Sequence, residues 1–268
     1  MLLIYVGVFK STKVSYSQRI RKGKSMINTL MQPPKLDNIS KLLCIQPHPD
    51  DNEIGMGGII SELVSRGVHV DYLTITDGSL GDIGLVNGSL KEIRKDEAIN
   101  AGKYLGAKEF IFLDHLDGSL KDIPLLAGEI ATIIREGKYD AIATPDPYNT
   151  YEAHQDHIIT GLAAAQAAIS VNLKEYPRGT ATLPTDLKAV LFYFTQKPNT
   201  FIDITNHFEK KMAATAMHKS QINEEMLALY TAYFASRGQK MSGSDKIFEG
   251  VKALLPLHLH CIPEAEII

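Results

Sequence analysis

The sequence predicts an α/β protein with a Rossmann-like, mainly parallel sheet and helices on both of its faces. Three observations support this fold class. Apolar strand segments alternate with single helical segments from residue 41 onward, and glycine stands at several helix ends. The chain also has 268 residues, 44% of them hydrophobic, which is enough to bury one large core. Strands joined through single helices make right-handed crossovers and therefore run parallel.

The individual elements follow from their residue patterns. Short apolar runs predict five strands at residues 42–46, 68–76, 110–113, 140–144 and 189–194. Apolar periodicity predicts helices at residues 53–65, 90–105, 123–135, 154–171, 205–218 and 223–236. Gly67, Gly106 and Gly137 are expected to end helices, because glycine readily adopts the left-handed conformation of a helix C-terminus.

We expect one domain at residues 39–268, with a core at about residues 41–195 and a smaller C-terminal α/β extension at residues 196–268. Residues 1–38 are expected to be an N-terminal arm or an over-extended start. Their apolar run, residues 1–9, precedes the basic stretch at residues 10–24, whereas a secretory signal has its positive charge first. A run of this length is also too short to span a bilayer, so no membrane attachment is expected.

Charge and cysteine content narrow the class of protein further. The net charge of −3 provides no basic field for nucleic acid. The two cysteines, Cys44 and Cys261, lie far apart, and Cys44 falls in a predicted buried strand as a small hydrophobic residue. No disulfide framework is implied, which predicts a cytoplasmic protein.

Two clusters of metal-binding residue types stand at predicted strand ends. The first is PHPDD at residues 47–51, and the second is HQDH at residues 154–157. Because the carboxyl ends of parallel strands meet at one edge of a sheet, we expect both clusters at the same site. One His and one Asp of the first cluster and one His of the second supply three ligands and leave a fourth position open, as in catalytic zinc sites. The sequence therefore predicts a metal-dependent hydrolase.

Each cluster has a simpler explanation when taken alone. Asp50 and Asp51 would suit a solvated helix N-terminus, and a His-x-x-His spacing on one helix face is common by chance. The shared strand-end context makes the metal site the better interpretation. One of the adjacent carboxylates would then bind the ion while the other acts as a general base. Asp156 would hold an imidazole by hydrogen bonding or cap its helix.

The glycines Gly55, Gly57 and Gly58 suggest a rival interpretation, a dinucleotide-binding turn. The G-x-G-x-x-G spacing is absent, however, and Asp50 and Asp51 at the helix start would repel a pyrophosphate. We expect these glycines to permit close packing of the helix on the sheet instead.

These motifs resemble the signature of the LmbE/PIG-L-type N-acetylglucosaminyl de-N-acetylases. The matching motifs, from about residue 42 to about residue 171, are PHPDD with Glu53 behind it, TDG at residues 76–78, R-x-x-E-A from Arg94, L-x-x-x-D-G from Leu113, and H-x-D-H from His154. Beyond them, DIT at residues 203–205, HKSQ at 218–221 and PLHLH at 256–260 are most similar to the diacetylchitobiose deacetylase branch. Asn52 departs from the acidic residue that many members have at this position, which leaves the role of Glu53 open.

The resemblance implies a metal-dependent carbohydrate de-N-acetylase that holds one Zn²⁺ per subunit. It assigns His48, Asp51 and His157 as zinc ligands and Asp50 as the general base for a metal-bound water. His154 would stabilise the oxyanion as a cation or protonate the leaving amine.

The resemblance also implies substrate contacts outside the two clusters. Arg94 would bind sugar hydroxyls, although composition alone indicates a helix-surface arginine. Asp117, like Asp77, would line the pocket or form a turn with the glycine that follows it, and turn chemistry favours the second. His258 or His260 would complete the pocket of a neighbouring subunit in a homo-oligomer, such as a hexamer, or belong to a packed C-terminal strand.

The implied substrate is a GlcNAc-type amino sugar, such as diacetylchitobiose or GlcNAc. Two alternatives stay open at the level of sequence. One is an amidase or deacetylase of a thiol-sugar pathway, of the bacillithiol or mycothiol type. The other is a non-catalytic module that binds a metal or a sugar.

Overall fold

A seven-stranded sheet runs through the computed structural model, which describes residue 27 and residues 31–82, 84 and 89–268. Its strands are β1 (Lys41–Gln46), β2 (His69–Thr76), β3 (Phe110–His115), β4 (Ala141–Pro145), β5 (Ala189–Tyr193), β6 (Thr200–Asp203) and β7 (Phe248–Leu254). The strand order is β3-β2-β1-β4-β5-β7-β6. The pairs among β1 to β5 are parallel, whereas β7 runs antiparallel to β5 and to β6. The predicted mainly parallel α/β fold is confirmed.

Helices cover both faces of this sheet. They are α1 (Asp51–Ser65), α2 (Leu90–Leu105), α3 (Ile123–Gly137), α4 (Gln155–Ser170), α5 (Phe208–Thr215) and α6 (Glu224–Ser242). Successive β1 side chains point to opposite faces, as a strand requires. Leu42 and Cys44 pack with apolar residues of α1, α2 and α5, whereas Leu43 and Ile45 pack with those of α3 and α4.

The C-terminal part of the chain differs most from the sequence-based expectation. The predicted helix at residues 205–218 is a 3-10 turn, Thr205–His207, followed by α5, which ends at Thr215. Strands β6 and β7 were not predicted, and they add residues of the predicted extension to the main sheet. The alternative of a packed strand at residues 256–260 is wrong, because Pro256–Leu259 forms a 3-10 turn.

One predicted helix end also shifts for a steric reason. Gly106 ends α2 in the left-handed conformation, as expected. Helix α3, however, includes Gly137, and Lys138 adopts the left-handed conformation with φ 52°. A Cβ on Gly137 would lie 2.1 Å from the ring of Tyr139, so glycine provides room for this ring rather than a turn.

The predicted N-terminal arm lies largely outside the described residues, since residues 1–26 and 28–30 are not described. Its last part, Leu36–Asn38, forms a 3-10 turn, and Leu36 packs into the core. Among the described residues, no helix is both long and apolar enough to cross a membrane.

Helix α1 is kinked at Met56, whose φ of −149° and ψ of 25° are not helical. The kink interrupts the hydrogen bonding of the helix, and two backbone groups near it are hydrogen-bonded instead by charged side chains of other elements. Lys211 Nζ donates to the Ile54 carbonyl at 2.8 Å, and the Ile59 amide donates to Glu249 Oε2 at 2.8 Å. Lys211 and Glu249 also form a buried ion pair with each other. This pair therefore holds the kink from α5 on one side and β7 on the other.

The glycines of α1 allow this helix to approach its neighbours closely, as predicted. A Cβ on Gly55 would lie 2.4 Å from the Tyr193 ring, and one on Gly58 would lie 2.5 Å from Ile204. Both distances are shorter than real contacts, so larger residues would push α1 away from the sheet.

We predict that Lys211→Met destabilises the fold, because it leaves the Glu249 carboxylate buried without its cation. The expected loss is about 3–5 kcal/mol in the free energy of unfolding, measured by urea denaturation. Glu249→Gln in the same chain should restore part of it. A matched control is Lys246→Met, which removes the exposed Lys246–Asp203 pair and should cost less than about 1 kcal/mol. Equal losses in the two single variants would contradict this account.

Candidate active site

The two predicted clusters meet at the carboxyl edge of the sheet. His48 and Asp50 lie in the connection from β1 to α1, and Asp51 is the first residue of α1. His157 lies in the first turn of α4, after β4, which is the neighbour of β1. The Thr76 amide and hydroxyl at the end of β2 both donate to the Pro47 carbonyl, at 2.9 and 2.8 Å, and fix the loop that carries His48.

The three predicted metal ligands lie around a common point. His48 Nδ1 is 3.2 Å from Asp51 Oδ2, and His157 Nε2 is 3.2 Å from Asp51 Oδ1. One ligand atom from each of these three residues lies within 4.8 Å of the others. Tetrahedral zinc with bonds of ~2.1 Å has its ligand atoms ~3.4 Å apart, so the observed separations fit such an ion. Two imidazoles and one carboxylate also form a donor set suited to a divalent first-row metal.

Carboxylates surround the opposite edge of the His48 ring. Its Nε2 lies 3.2 Å from Asp117 Oδ1 and 3.4 Å from Asp156 Oδ2. Burial lowers the pKa of His48, but Asp117, Asp156 and Asp51 together raise it to about 12. A carboxylate at the second nitrogen is the usual partner of a metal-ligating histidine, because it fixes the tautomer and the ring orientation.

Asp156 is itself held by backbone amides of the loop after β3. Its carboxylate accepts hydrogen bonds from the amides of Gly118 at 2.7 Å and Leu120 at 3.3 Å. Asp156 thus lies beside His48 Nε2, where its carboxylate can act on the imidazole. The cap of α4 is instead His154, whose Nδ1 accepts from the Asp156 amide at 3.3 Å.

The adjacent carboxylates of Asp50 and Asp51 have different environments. Burial raises the pKa of Asp51, but His157 and His48 overcome this effect and hold it well below its usual value. Burial also raises the pKa of Asp50, and there the opposing effect of Arg94 is not sufficient to reverse it. Pairs of carboxyl groups with divergent pKa values are typical of sites that divide acid–base roles between them. Asp51 suits a permanently charged ligand, and Asp50 suits a base.

Arg94 is buried in the site, so the interpretation as a helix-surface arginine is wrong. Its Nη2 lies 3.2 Å from Asp50 Oδ2, and its Nη1 donates to the Gly78 carbonyl at 2.9 Å. The loop after β2 covers the side chain, and only 4% of the residue is exposed. Arg94 therefore orients Asp50 and joins it to that loop.

His154 lies beside His48 and His157 but is exposed to solvent. Its ring centroid is 4.5 Å from that of His48 and 5.1 Å from that of His157. Burial, His48 and His157 lower the pKa of His154, and Asp156 and Asp51 oppose this effect. Because Nδ1 accepts a hydrogen bond from a backbone amide, the neutral ring carries its proton on Nε2 and is a donor there.

A pocket of about 300 Å³ opens next to this cluster. Six of its nine lining residues are polar or charged, and the full set is His48, Asp50, Leu80, Gly81, Arg94, Asp117, Gly118, His154 and Gln221. Asp117 therefore lines the pocket as well as accepting from the Leu80 amide at 3.0 Å. Asp77, in contrast, forms the expected turn, in which its carboxylate accepts from the Ser79 amide.

Several residues of the site were not identified from the sequence. Glu152 accepts from the His154 amide at 2.7 Å and lies 3.4 Å from His157 Nδ1. Phe194 stacks on the His157 ring with 5.9 Å between centroids. Gln221 reaches the pocket from the C-terminal part of the chain. The HKSQ motif was the only sequence signal for Gln221, and it gives no position in space.

The two C-terminal histidines differ in exposure. His258 is buried within its own chain, and its Nδ1 accepts from the Leu255 amide at 3.1 Å. His260 is exposed. Of the two residues predicted to reach a neighbouring pocket, only His260 is therefore accessible to a second subunit in this conformation.

Comparison with known proteins agrees with this arrangement. The sequence profile of the GlcNAc-PI de-N-acetylase (PIG-L) family matches residues 43–168. Diacetylchitobiose deacetylase of Thermococcus kodakarensis is 35% identical over 240 residues, which cover 87% of this chain and 90% of that protein. The probable N-acetyl-alpha-D-glucosaminyl L-malate deacetylase 2 of Bacillus cereus is 32% identical over 197 residues, which cover 69% of this chain and 85% of that protein.

A solved structure of a related enzyme has the same fold. N,N'-diacetylchitobiose deacetylase of Pyrococcus horikoshii superposes with a TM-score of 0.83 at 28% identity, over 97% of this chain and all of that one. Fold and site together define the class as a carbohydrate de-N-acetylase, as predicted. Within that class the chain belongs to the PIG-L/LmbE family.

We predict that the carboxylates on the two sides of His48 contribute unequally to metal affinity. Asp51→Asn removes a charged ligand and should abolish tight Zn²⁺ binding. Asp156→Asn leaves all three ligands and should weaken binding about 10- to 100-fold. Affinity is measured by competition with a chromogenic chelator. Asp146→Asn is the matched control. Asp146 is buried like Asp156, but it lies just after β4 and accepts from the Tyr148 amide, so its loss should leave the Zn²⁺ affinity unchanged. An unchanged affinity in Asp51→Asn would contradict the ligand assignment.

Proposed function

We propose that the protein is a zinc-dependent hydrolase that removes the N-acetyl group from a GlcNAc-type amino sugar, such as diacetylchitobiose or GlcNAc. The observation that carries this proposal is the group of His48, Asp51 and His157 beside a polar pocket, with Asp50 at the border between them. The names of the most similar relatives, which include deacetylases of chitobiose and of GlcNAc-malate, support the same substrate class.

The proposed cofactor is one Zn²⁺ per subunit, held by His48, Asp51 and His157. The fit rests on the donor set and on the negative charge of the site, where Asp51, Asp117 and Asp156 all lie within 3.4 Å of His48. When bound there, zinc polarises the acetyl carbonyl and lowers the pKa of water at its open position.

Asp50 acts as the general base in this proposal. It accepts a proton from the attacking water, whose oxygen adds to the acetyl carbonyl carbon. The amide nitrogen must gain a proton before the C–N bond breaks, and protonated Asp50 can deliver it. The products are acetate and the free amino sugar. The raised pKa of Asp50 suits both steps, because the carboxyl group first takes up the proton and then releases it.

His154 stabilises the negative charge that develops on the carbonyl oxygen. Its Nε2 carries the proton in the neutral ring, so it is a hydrogen-bond donor without being a cation. A fixed donor at the position of a developing oxyanion favours the transition state over the ground state. The alternative role, protonation of the leaving amine, is less suited to a histidine whose pKa is lowered.

The pocket supplies the groups that recognise a sugar. Arg94 offers a donor and Asp117 an acceptor for hydroxyl groups, and the pocket volume of about 300 Å³ suits one sugar ring.

We also propose that residues 39–268 act as one catalytic domain and that the chain forms a homo-oligomer, such as a hexamer, in which the exposed His260 reaches a neighbouring pocket. A cytoplasmic location is proposed because both cysteines are free.

A second candidate function is the deacetylation of a thiol-sugar precursor. The observation in its favour is the 32% identity to the probable N-acetyl-alpha-D-glucosaminyl L-malate deacetylase 2 of Bacillus cereus. Both candidates share the amide chemistry and differ in the group attached to the sugar.

We predict that the zinc-loaded protein releases acetate from diacetylchitobiose or GlcNAc more efficiently than from GlcNAc-malate or GlcNAc-inositol. Acetate is measured by a coupled colorimetric assay over this panel. Chelation should abolish the release, and added Zn²⁺ should restore it. Preference for GlcNAc-malate would favour the second candidate. If the protein bound metal but released acetate from none of these substrates, the result would favour the alternative of a non-catalytic binding module.

We predict that Asp50→Asn keeps its zinc and loses turnover. An amide cannot accept the proton of the attacking water, so kcat should fall about 10²- to 10⁴-fold. Zinc content, measured by atomic absorption, is the control for an intact site. If this variant turned over at the normal rate, the base would have to be another group.

A further inference from the structure

The segment between α5 and α6 contains a short turn, His218-Lys219-Ser220-Gln221, called here the 218–221 turn. Two side chains hold it in place. His218 Nε2 lies 3.1 Å from Glu53 Oε2 in α1, and both residues are fully buried. The Ser220 amide and hydroxyl both donate to the Glu97 carboxylate in α2, at 2.8 and 2.6 Å.

These contacts tie the turn to the two helices that carry the site. Glu53 follows Asp51 by two residues in α1, and Glu97 follows Arg94 by three residues in α2. The turn therefore keeps a fixed position relative to the proposed base and to its guanidinium partner. A side chain that leaves this turn toward the pocket is positioned as firmly as one on the helices themselves.

Gln221 is the residue of the turn that lines the pocket. Its Nε2 donates to the Ser220 carbonyl at 2.9 Å, which fixes the orientation of the amide. Its Oε1 faces Gly81, where an added Cβ would lie 3.0 Å away. Within the part of the chain that the structure describes, this oxygen accepts no hydrogen bond. It is an oriented neutral acceptor on the pocket wall, beside Gly81.

We propose that Gln221 is a specificity-determining residue, whose Oε1 accepts a hydrogen bond from a ring hydroxyl of the sugar that carries the acetamide group. This inference rests on the proposed function and adds a contact to it. The two carboxylates that line the pocket already have partners, since Asp117 lies beside His48 and accepts from the Leu80 amide, and Asp50 pairs with Arg94. A pocket that hydrogen-bonds a hydroxyl rejects analogues without it, because the acceptor would then be buried unpaired.

The test pairs Gln221→Ala with the 3-deoxy, 4-deoxy and 6-deoxy analogues of GlcNAc. The variant should lower kcat/KM for GlcNAc about 10-fold or more, the size expected for one lost hydrogen bond in a pocket. Against one of the deoxy analogues the loss should disappear, because that substrate has no hydroxyl for Gln221 to bind. Such coupling between one side chain and one hydroxyl is the signature of a direct contact.

Two further variants separate recognition from a structural effect. Glu97→Ala removes the carboxylate that anchors Ser220 and keeps every residue that lines the pocket, so it should lower kcat/KM equally for GlcNAc and all three analogues. Lys219→Ala removes an exposed side chain and should change nothing. If Gln221→Ala behaves like Glu97→Ala, with the same loss on every substrate, the proposal is wrong.

Binding measurements keep this inference distinct from the proposed function. Isothermal titration of the zinc-loaded protein with GlcNAc and the deoxy analogues reports recognition even where no acetate forms. Binding that depends on Gln221 and on one hydroxyl, without hydrolysis, would support Gln221 and overturn the proposed function. Acetate release in which Gln221→Ala lowers kcat/KM equally for all substrates would support the proposed function and overturn the role of Gln221. A protein that neither binds nor hydrolyses GlcNAc would overturn both.

Discussion

The burial of negative charge around His48 is the constraint on which the rest of the site depends. Three carboxylates, from Asp51, Asp117 and Asp156, lie within 3.4 Å of this one imidazole. Buried carboxylates need a cation close by, and the raised pKa of His48 shows how strongly they attract one. Because these carboxylates come from α1, from the loop after β3 and from α4, a shared cation also draws the strand-end loops together. The electrostatics of the site and the convergence of its loops thus have the same origin.

Residues of the C-terminal part of the chain hold α1 in position. Lys211 and Glu249 hold the kink at Met56, and His218 pairs with Glu53 in the turn that begins with Asp51. Both contacts act on the short helical segment that presents the two neighbouring carboxylates. Residues beyond 196 therefore shape the site directly as well as extending the sheet.

The convergence of His48, Asp51 and His157 was predictable from sequence because the topology brings the two clusters together. His48 and His157 follow neighbouring parallel strands, and parallel strands present their carboxyl ends at one edge. Arg94 was not predictable as a buried residue, since its burial depends on how the loop after β2 folds back over α2. Strand β7 was missed because Glu249 and Lys252 interrupt its apolar pattern, and only their partners in space make them compatible with burial. The position of Gln221 could not be predicted because it depends on where α5 ends. The sequence predicted a helix as far as residue 218, whereas α5 ends at Thr215.

The position of Arg94 supports the proposed division of roles between Asp50 and Asp51. The residue pattern gives two adjacent aspartates, and only the resemblance to the family distinguishes their roles. Arg94 Nη2 lies 3.2 Å from Asp50, so an ion bound by Asp50 would lie next to a guanidinium of like charge, which is unfavourable. Asp51 instead faces two imidazoles, which become neutral when they bind a metal. In the proposed mechanism, the arginine thus disfavours Asp50 as a metal ligand and keeps it beside the pocket, where the base would act.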